Sequence, residues 1–214
     1  MKHILIILFI AAALGTIKAQ GIGEIVPDKK PEAFPPHTIG LDLMFTEGGF
    51  GFGGFYRKEL GEHITGFIDF SISEAKDERE FEYVDYYGQT YVAGKKNRVF
   101  TMPLSFGVQY RMFEDAIADN LRPYVNGGIG PSFVVTTPYE MEFFDSFGKA
   151  RGKWALGGYV GIGANFGLDK KNLIGLNLRY YFTHFFDNGV ESLANVYHKD
   201  LGGIALAINI GIMY

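Results

Sequence analysis

The chain has 214 residues, with 29 Gly, 20 Phe, 13 Tyr, a single Trp and no Cys. The missing cysteine excludes disulfides, thiolate catalysis, Cys-ligated zinc and iron–sulfur clusters. A formal charge of −4 gives no electrostatic footprint for nucleic acid. Charged residues at 21% are too many for a helical membrane protein and too few for a disordered one.

Lys2 and His3 precede eleven apolar residues, Ile4 to Leu14, and Ala19 offers a small residue before Gln20. A basic start, a short apolar run and a small residue at the cut predict a secretory signal peptide over residues 1–19. Eleven apolar residues are short of the roughly 20 that a spanning helix requires. Residues 20–36 hold four of the eight prolines, Pro27, Pro31, Pro35 and Pro36, and show no apolar period. They read as a periplasmic linker, and residues 37–214 as one β-domain.

That domain reads by period two, because successive side chains of a strand point to opposite faces. Strands are expected over 38–46, 50–59, 63–73, 100–112, 123–136, 154–167, 173–184 and 203–214. The last is the most regular: Ile204, Leu206, Ile208, Ile210 and Ile212 alternate with Ala205, Ala207, Asn209 and Gly211. A bulky aliphatic face opposite a face of small and amide residues suits a narrow polar interior and an apolar exterior. The connections alternate short and long, the long ones running over 74–97, 137–153 and 185–200. The fold class expected is therefore all-β: an eight-stranded antiparallel up-and-down transmembrane β-barrel, both termini on the periplasmic side. Pro103 and Pro131 fall inside strands, and since a closed barrel has no edge to excuse a missing N–H, they predict bulges or a one-residue register shift.

Three stretches bring the chain close to a known group: Arg122-Pro123-Tyr124-Val125-Asn126-Gly127-Gly128-Ile129-Gly130, Leu104-Ser105-Phe106-Gly107-Val108-Gln109-Tyr110, and the alternating last strand ending in Tyr214. With the leader, residues 38–214 resemble the small eight-stranded outer-membrane β-barrel superfamily of Gram-negative bacteria, which takes in opacity-like and type-IX-associated barrels. The resemblance implies a bacterial outer-membrane location, lipid and lipopolysaccharide around the belt, and export and barrel-assembly machinery as partners. In that family the last strand is read during assembly, and Tyr214 stands where Phe is commoner.

Strand parity turns Asp42, Arg57, Glu59, Asp69, Gln109, Arg111 and Arg179 inward, with Asn126, Asn165, Asn177, Asn209 and the hydroxyls of Tyr124, Tyr159 and Tyr181. Eight strands enclose a space that side chains just fill, so three acids and three arginines there are expected to pair. A closed polar lumen and a narrow channel for small solutes both follow from such residues. A secreted soluble barrel carrying a lipophilic ligand is a third reading.

Catalytic patterns are weak. Gly49-Phe50-Gly51-Phe52-Gly53-Gly54 lacks the helix N-terminus that a phosphate loop requires. Some barrels of this size are lipid A deacylases with His-x-Ser-Asn at the end of the seventh strand. Here His184-Phe185-Phe186 puts Phe where that hydroxyl would stand. No enzyme activity, cofactor or metal is expected; His184 with His198 is the one metal pair considered. The outer loops carry Tyr83, Tyr86, Tyr87, Tyr91, Phe143 and Phe144, which read either as a recognition surface or as an aromatic girdle with strand extension. Nothing in the sequence names an extracellular ligand.

Overall fold

The computed structural model describes residues 35–214 apart from 77–78, 89, 114–116, 118–120 and 168–170; the expected leader and most of the linker lie outside them. Eight long strands make the wall: β1 (His37–Thr46), β2 (Gly49–Glu59), β3 (Ile64–Ala75), β6 (Asn97–Arg111), β7 (Leu121–Pro138), β8 (Arg151–Gly167), β9 (Asn172–His184) and β12 (Asp200–Met213). Two small hairpins lie in loops, β4 (Glu82–Val84) with β5 (Thr90–Val92) and β10 (Val190–Glu191) with β11 (Tyr197–His198). Each long strand pairs antiparallel with its successor, and β12 returns to β1, closing the barrel. All eight strands coincide with the expected segments, most of them one to three residues longer at an end.

The walls present opposite chemistry on their two faces. Outward stand Ile39, Leu41 (66% exposed), Leu43, Ile68, Val108, Val160, Leu176, Leu206 and Ile212. Inward stand Asp42 and Asn209, both fully buried, with Ser105, Asn177 and Arg179. A soluble carrier would have the reverse arrangement, so the lipophilic-carrier reading falls: the wall is apolar outside and largely polar inside.

Neither proline produces a bulge, contrary to expectation. Pairing of β6 with β7 has the same register below the prolines, Phe106 opposite Ile129, as above them, Pro103 opposite Ser132. The ladder lapses only at Leu104–Ser105, beside Pro131. The β3–β6 ladder likewise lapses beside Pro103, resuming at Ser73 opposite Thr101. A missing N–H removes a ladder bond on one side of a strand only. Pro131 keeps its pairing to Leu156 of β8 on the other, and the closed wall carries the gap.

Glycines let rings enter the interior. A Cβ on Gly107 would collide with Phe67 Cζ, and one on Gly40 with Phe55 Cζ. Gly107 faces Gly128 and Gly40 faces Gly211 across their ladders, so each ring is seated on a glycine pair.

The seam between first and last strands is fastened at the chain end. His37 and Tyr214 exchange backbone hydrogen bonds of 3.1 and 2.9 Å. Their rings stack at 5.6 Å, and His37 Nδ1 hydrogen-bonds the Tyr56 hydroxyl at 2.7 Å.

Candidate functional site: a polar lumen and a knitted outer cap

From the end bearing the termini upward, the interior is a stack of layers. Glu59 stands exposed where β2 ends, and Arg111 is half-buried at the end of β6. Both belong to the rim and not to the buried charge cluster where parity alone places them. Above them Arg57 is held by Asn165 Oδ1 at 3.4 Å and by the Phe55 ring, 4.1 Å from its guanidinium carbon. Gln109, Leu173 and Met213 fill the same level. Next come Asn126, Asn177, Asn209 and Tyr124, whose hydroxyl donates to Asn209 Oδ1 at 3.2 Å.

The central layer is ionic. Arg179 reaches Asp42 Oδ2 at 2.6 Å and Asp69 Oδ2 at 3.1 Å, with all three side chains 2% exposed or less. Asn209 donates its amide to the other oxygen of Asp42, Arg179 also donates to the Tyr181 hydroxyl at 2.9 Å, and the Tyr159 ring lies under the guanidinium at 4.6 Å. The expected pairing is thus realised as two acids on one arginine. Arg57, one level away, makes the deep interior neutral: two buried carboxylates, two buried guanidinium groups.

Above this layer the barrel mouth is apolar, a feature parity does not anticipate. Val99, Val134 and Ala155 face inward there and enclose Phe185 and Val190, which descend from the last loop; all five are buried. The loop is knitted to its neighbours. Lys96 and Asn97 N–H groups donate to Ser192 O at 2.8 and 3.0 Å, and Ala194 N–H donates to Gly94 O at 2.9 Å. Lys96 Nζ meets Glu191 at 2.7 Å, and Lys153 Nζ meets Asp187 at 2.7 Å.

The aromatic loop residues separate into two groups. Tyr83 and Tyr91 face each other across the β4–β5 hairpin at 5.9 Å, and Tyr86 and Tyr87 stand at its tip, 98% and 85% exposed. Phe143 opens a one-turn helix, α1 (Phe143–Ser146), and packs on Phe100 and Phe147. These line the outer wall beside Phe50 and Phe52, so Phe143 extends the apolar belt and does not join the tyrosines.

His184 Nδ1 pairs with Asp200 Oδ1 at 2.6 Å and has the Phe186 ring edge-on at 5.2 Å. His198 Nε2 instead lies 3.3 Å from an Arg79 nitrogen, so the two histidines do not converge. Among the described residues no group of three potential metal ligands occurs.

No protein-family model matches the chain, and no curated protein matches it in sequence. Solved structures do match. Neisserial surface protein A is 9% identical over 86% of this chain and 100% of its own, with a TM-score of 0.53. A major outer membrane protein from Thermus thermophilus is 14% identical over 83% and 98%, also at 0.53. The outer membrane enzyme PagL is 12% identical over 83% and 99%, at 0.40. What is shared is the fold, a small eight-stranded antiparallel β-barrel.

Proposed function

We propose that the chain is an outer-membrane protein with a closed lumen, acting through its outward loops or in envelope integrity and catalysing no reaction. The belt of exposed aliphatic side chains supports a place in the bilayer, with outer-membrane lipid and lipopolysaccharide around it. The signal-peptide pattern expected over residues 1–19 and the alternation along β12 support passage through export and barrel-assembly machinery. The observation that carries the closed lumen is Arg179, 1% exposed and bridging acids from two other walls. Breaking that bridge strands two carboxylates in a buried interior, at a cost of several kcal/mol. Against catalysis speaks the His184–Asp200 pair, whose geometry orients an imidazole but offers it Phe186 where a nucleophile is required.

A narrow channel for small solutes is the second reading. Two small vestibules favour it, of about 50 and 30 Å³, reaching inward from the loop end beside Tyr181 and from the opposite end beside Arg57. Each has room for a few waters.

Planar-bilayer recordings of the purified barrel decide between them. Silence from the wild type is expected. Discrete steps that change with Arg179→Ala would replace the closed lumen with a conduction path.

A further inference from the structure

Beneath the β4–β5 hairpin lies a cavity of about 510 Å³, bounded on its far side by the β1–β2 turn at Thr46–Gly49. Its volume falls in the range of small-ligand clefts, roughly 300–1,000 Å³. Acidic and basic groups alternate around it. Glu82 pairs with Lys76 at 3.1 Å, and Lys95 pairs with Glu74 at 3.3 Å and Glu80 at 2.9 Å. Arg98 donates to the Pro138 and Met141 carbonyls and, with Lys95, lies about 5 Å from the Tyr139 ring.

One group does not fit a purely structural account. The Glu80 side chain is 1% exposed, it lines the cavity, and its Oε1 has no hydrogen-bond partner among the described residues. A buried carboxylate oxygen without a donor is costly, and a turn of the Glu80 side chain toward the cavity it lines would bring that oxygen to a donor standing there.

We infer that this cavity binds a neutral saccharide, a hydroxyl of which donates to Glu80 Oε1. The reasoning rests on matching donors and acceptors. The charges of the wall already have an opposite charge, a carbonyl or an N–H at hand, so an ionic ligand meets a nearly balanced field and must break pairs to bind. A hydroxyl both donates and accepts. A polyhydroxyl ligand therefore satisfies the carboxylates and the ammonium groups in turn and leaves the pairs intact. This deepens the reading of the outer loops as the working part of the protein and rests on it.

The test uses the full mature chain in nanodiscs and saturation-transfer NMR. The probes are sucrose, trehalose, lactose and chitobiose, with spermidine and inorganic phosphate as cationic and anionic probes. At least one disaccharide is expected to show transfer, and Glu80→Gln is expected to weaken its binding at least tenfold. Because Glu80→Gln also touches the Lys95 pair, Val92→Trp serves as the second variant. It narrows the cavity, keeps every charge, and is expected to weaken transfer. No transfer from any saccharide, transfer unchanged in both variants, or binding of spermidine or phosphate alone would each overturn the inference. Maleimide labelling of Tyr87→Cys on intact cells tests the outward orientation separately. Failure there with saccharide binding retained would refute the proposed orientation and leave the site standing.

Discussion

Arg179 and Asp69 stand on strands four places apart around an eight-stranded ring, the widest separation it allows, and meet at 3.1 Å. A guanidinium presents several donors in a fixed fork, which is why one residue can take Asp69 and Asp42 together. Arg179→Met would keep most of the volume and leave both carboxylates without their cation. The expected loss is ~3–5 kcal/mol, the range for breaking a buried pair. Urea unfolding of the barrel in lipid vesicles measures it. Asp42→Asn with Asp69→Asn in the Arg179→Met background should recover much of the loss, because removing the whole Arg179 triad is far less costly than removing its cation alone. A triple variant as unstable as the single would show that the charges are not what matters.

The seat of Phe67 on Gly107 gives a second test. A methyl at Gly107 collides with the ring and with the Gly127 carbonyl oxygen, whereas one at Gly127 finds its nearest neighbour at 3.5 Å. Gly107→Ala should cost about 1–3 kcal/mol through overpacking, and Gly127→Ala a small fraction of that. Equal effects in the same unfolding assay would mean that the wall yields where the close approach says it cannot.

How far the sequence carries is visible in these same residues. Alternation in β12 and β9 fixes which side chains meet lipid and which meet the interior, since a one-residue slip inverts every position. Parity therefore places Asp42, Asp69 and Arg179 in the lumen, where the structure has them. Their convergence depends on strands far apart in sequence and on the ring's closure, which no local pattern encodes. Phe55 and Phe67 lie on the inward parity too, yet a large apolar residue reads as outward until its glycine seat on the next strand is known. Glu59 and Arg111 show the opposite error: parity gives direction but not depth, and both sit at strand ends. The prolines mislead because a bulge is one remedy for a missing N–H, and a local gap in the ladder is another. The apolar cap is illegible, since Phe185 and Val190 belong to a loop without period.

That cap is also held by charge, and its dependence on pH has a definite sign. The Lys153 ammonium and the Gly189 N–H hold the Asp187 carboxyl below its ordinary value, and Lys96 with the Asn195 N–H does the same for Glu191. A carboxylate lowered in the folded state contributes stability above its unfolded pKa, roughly 4, and loses it as pH falls through the lower folded value. Lys95 has the opposite sign. Burial works against its charge, but Glu80 and Glu74 outweigh that and raise its pKa, so its contribution is lost only at strongly alkaline pH. The cap should therefore hold unchanged from about pH 5 to about pH 9 and loosen below about 4. Amide exchange at Lys96, Asn97 and Ala194, corrected for intrinsic rates, reports it. Loosening between about pH 5 and about pH 7 would contradict the assignment.

Phe185 allows the cap to be opened without touching the ionic layer below it. The ring is 1% exposed among Val99, Val134, Ala155 and Val190, and truncating a buried Phe to Ala removes roughly 3–5 kcal/mol. That loss falls on the docking of one loop, because Phe185 lies just past the end of β9 and the wall is closed without it. Phe185→Ala should thus abolish protection at Lys96, Asn97 and Ala194 while protection in the middle of β9 and β12 stays. Conductance should stay silent too, since Arg179 still bridges Asp42 and Asp69 beneath the opened mouth. Steps from Phe185→Ala alone would make the loop the true seal and demote the ionic layer. Steps only from Phe185→Ala combined with Arg179→Ala would show two closures in series.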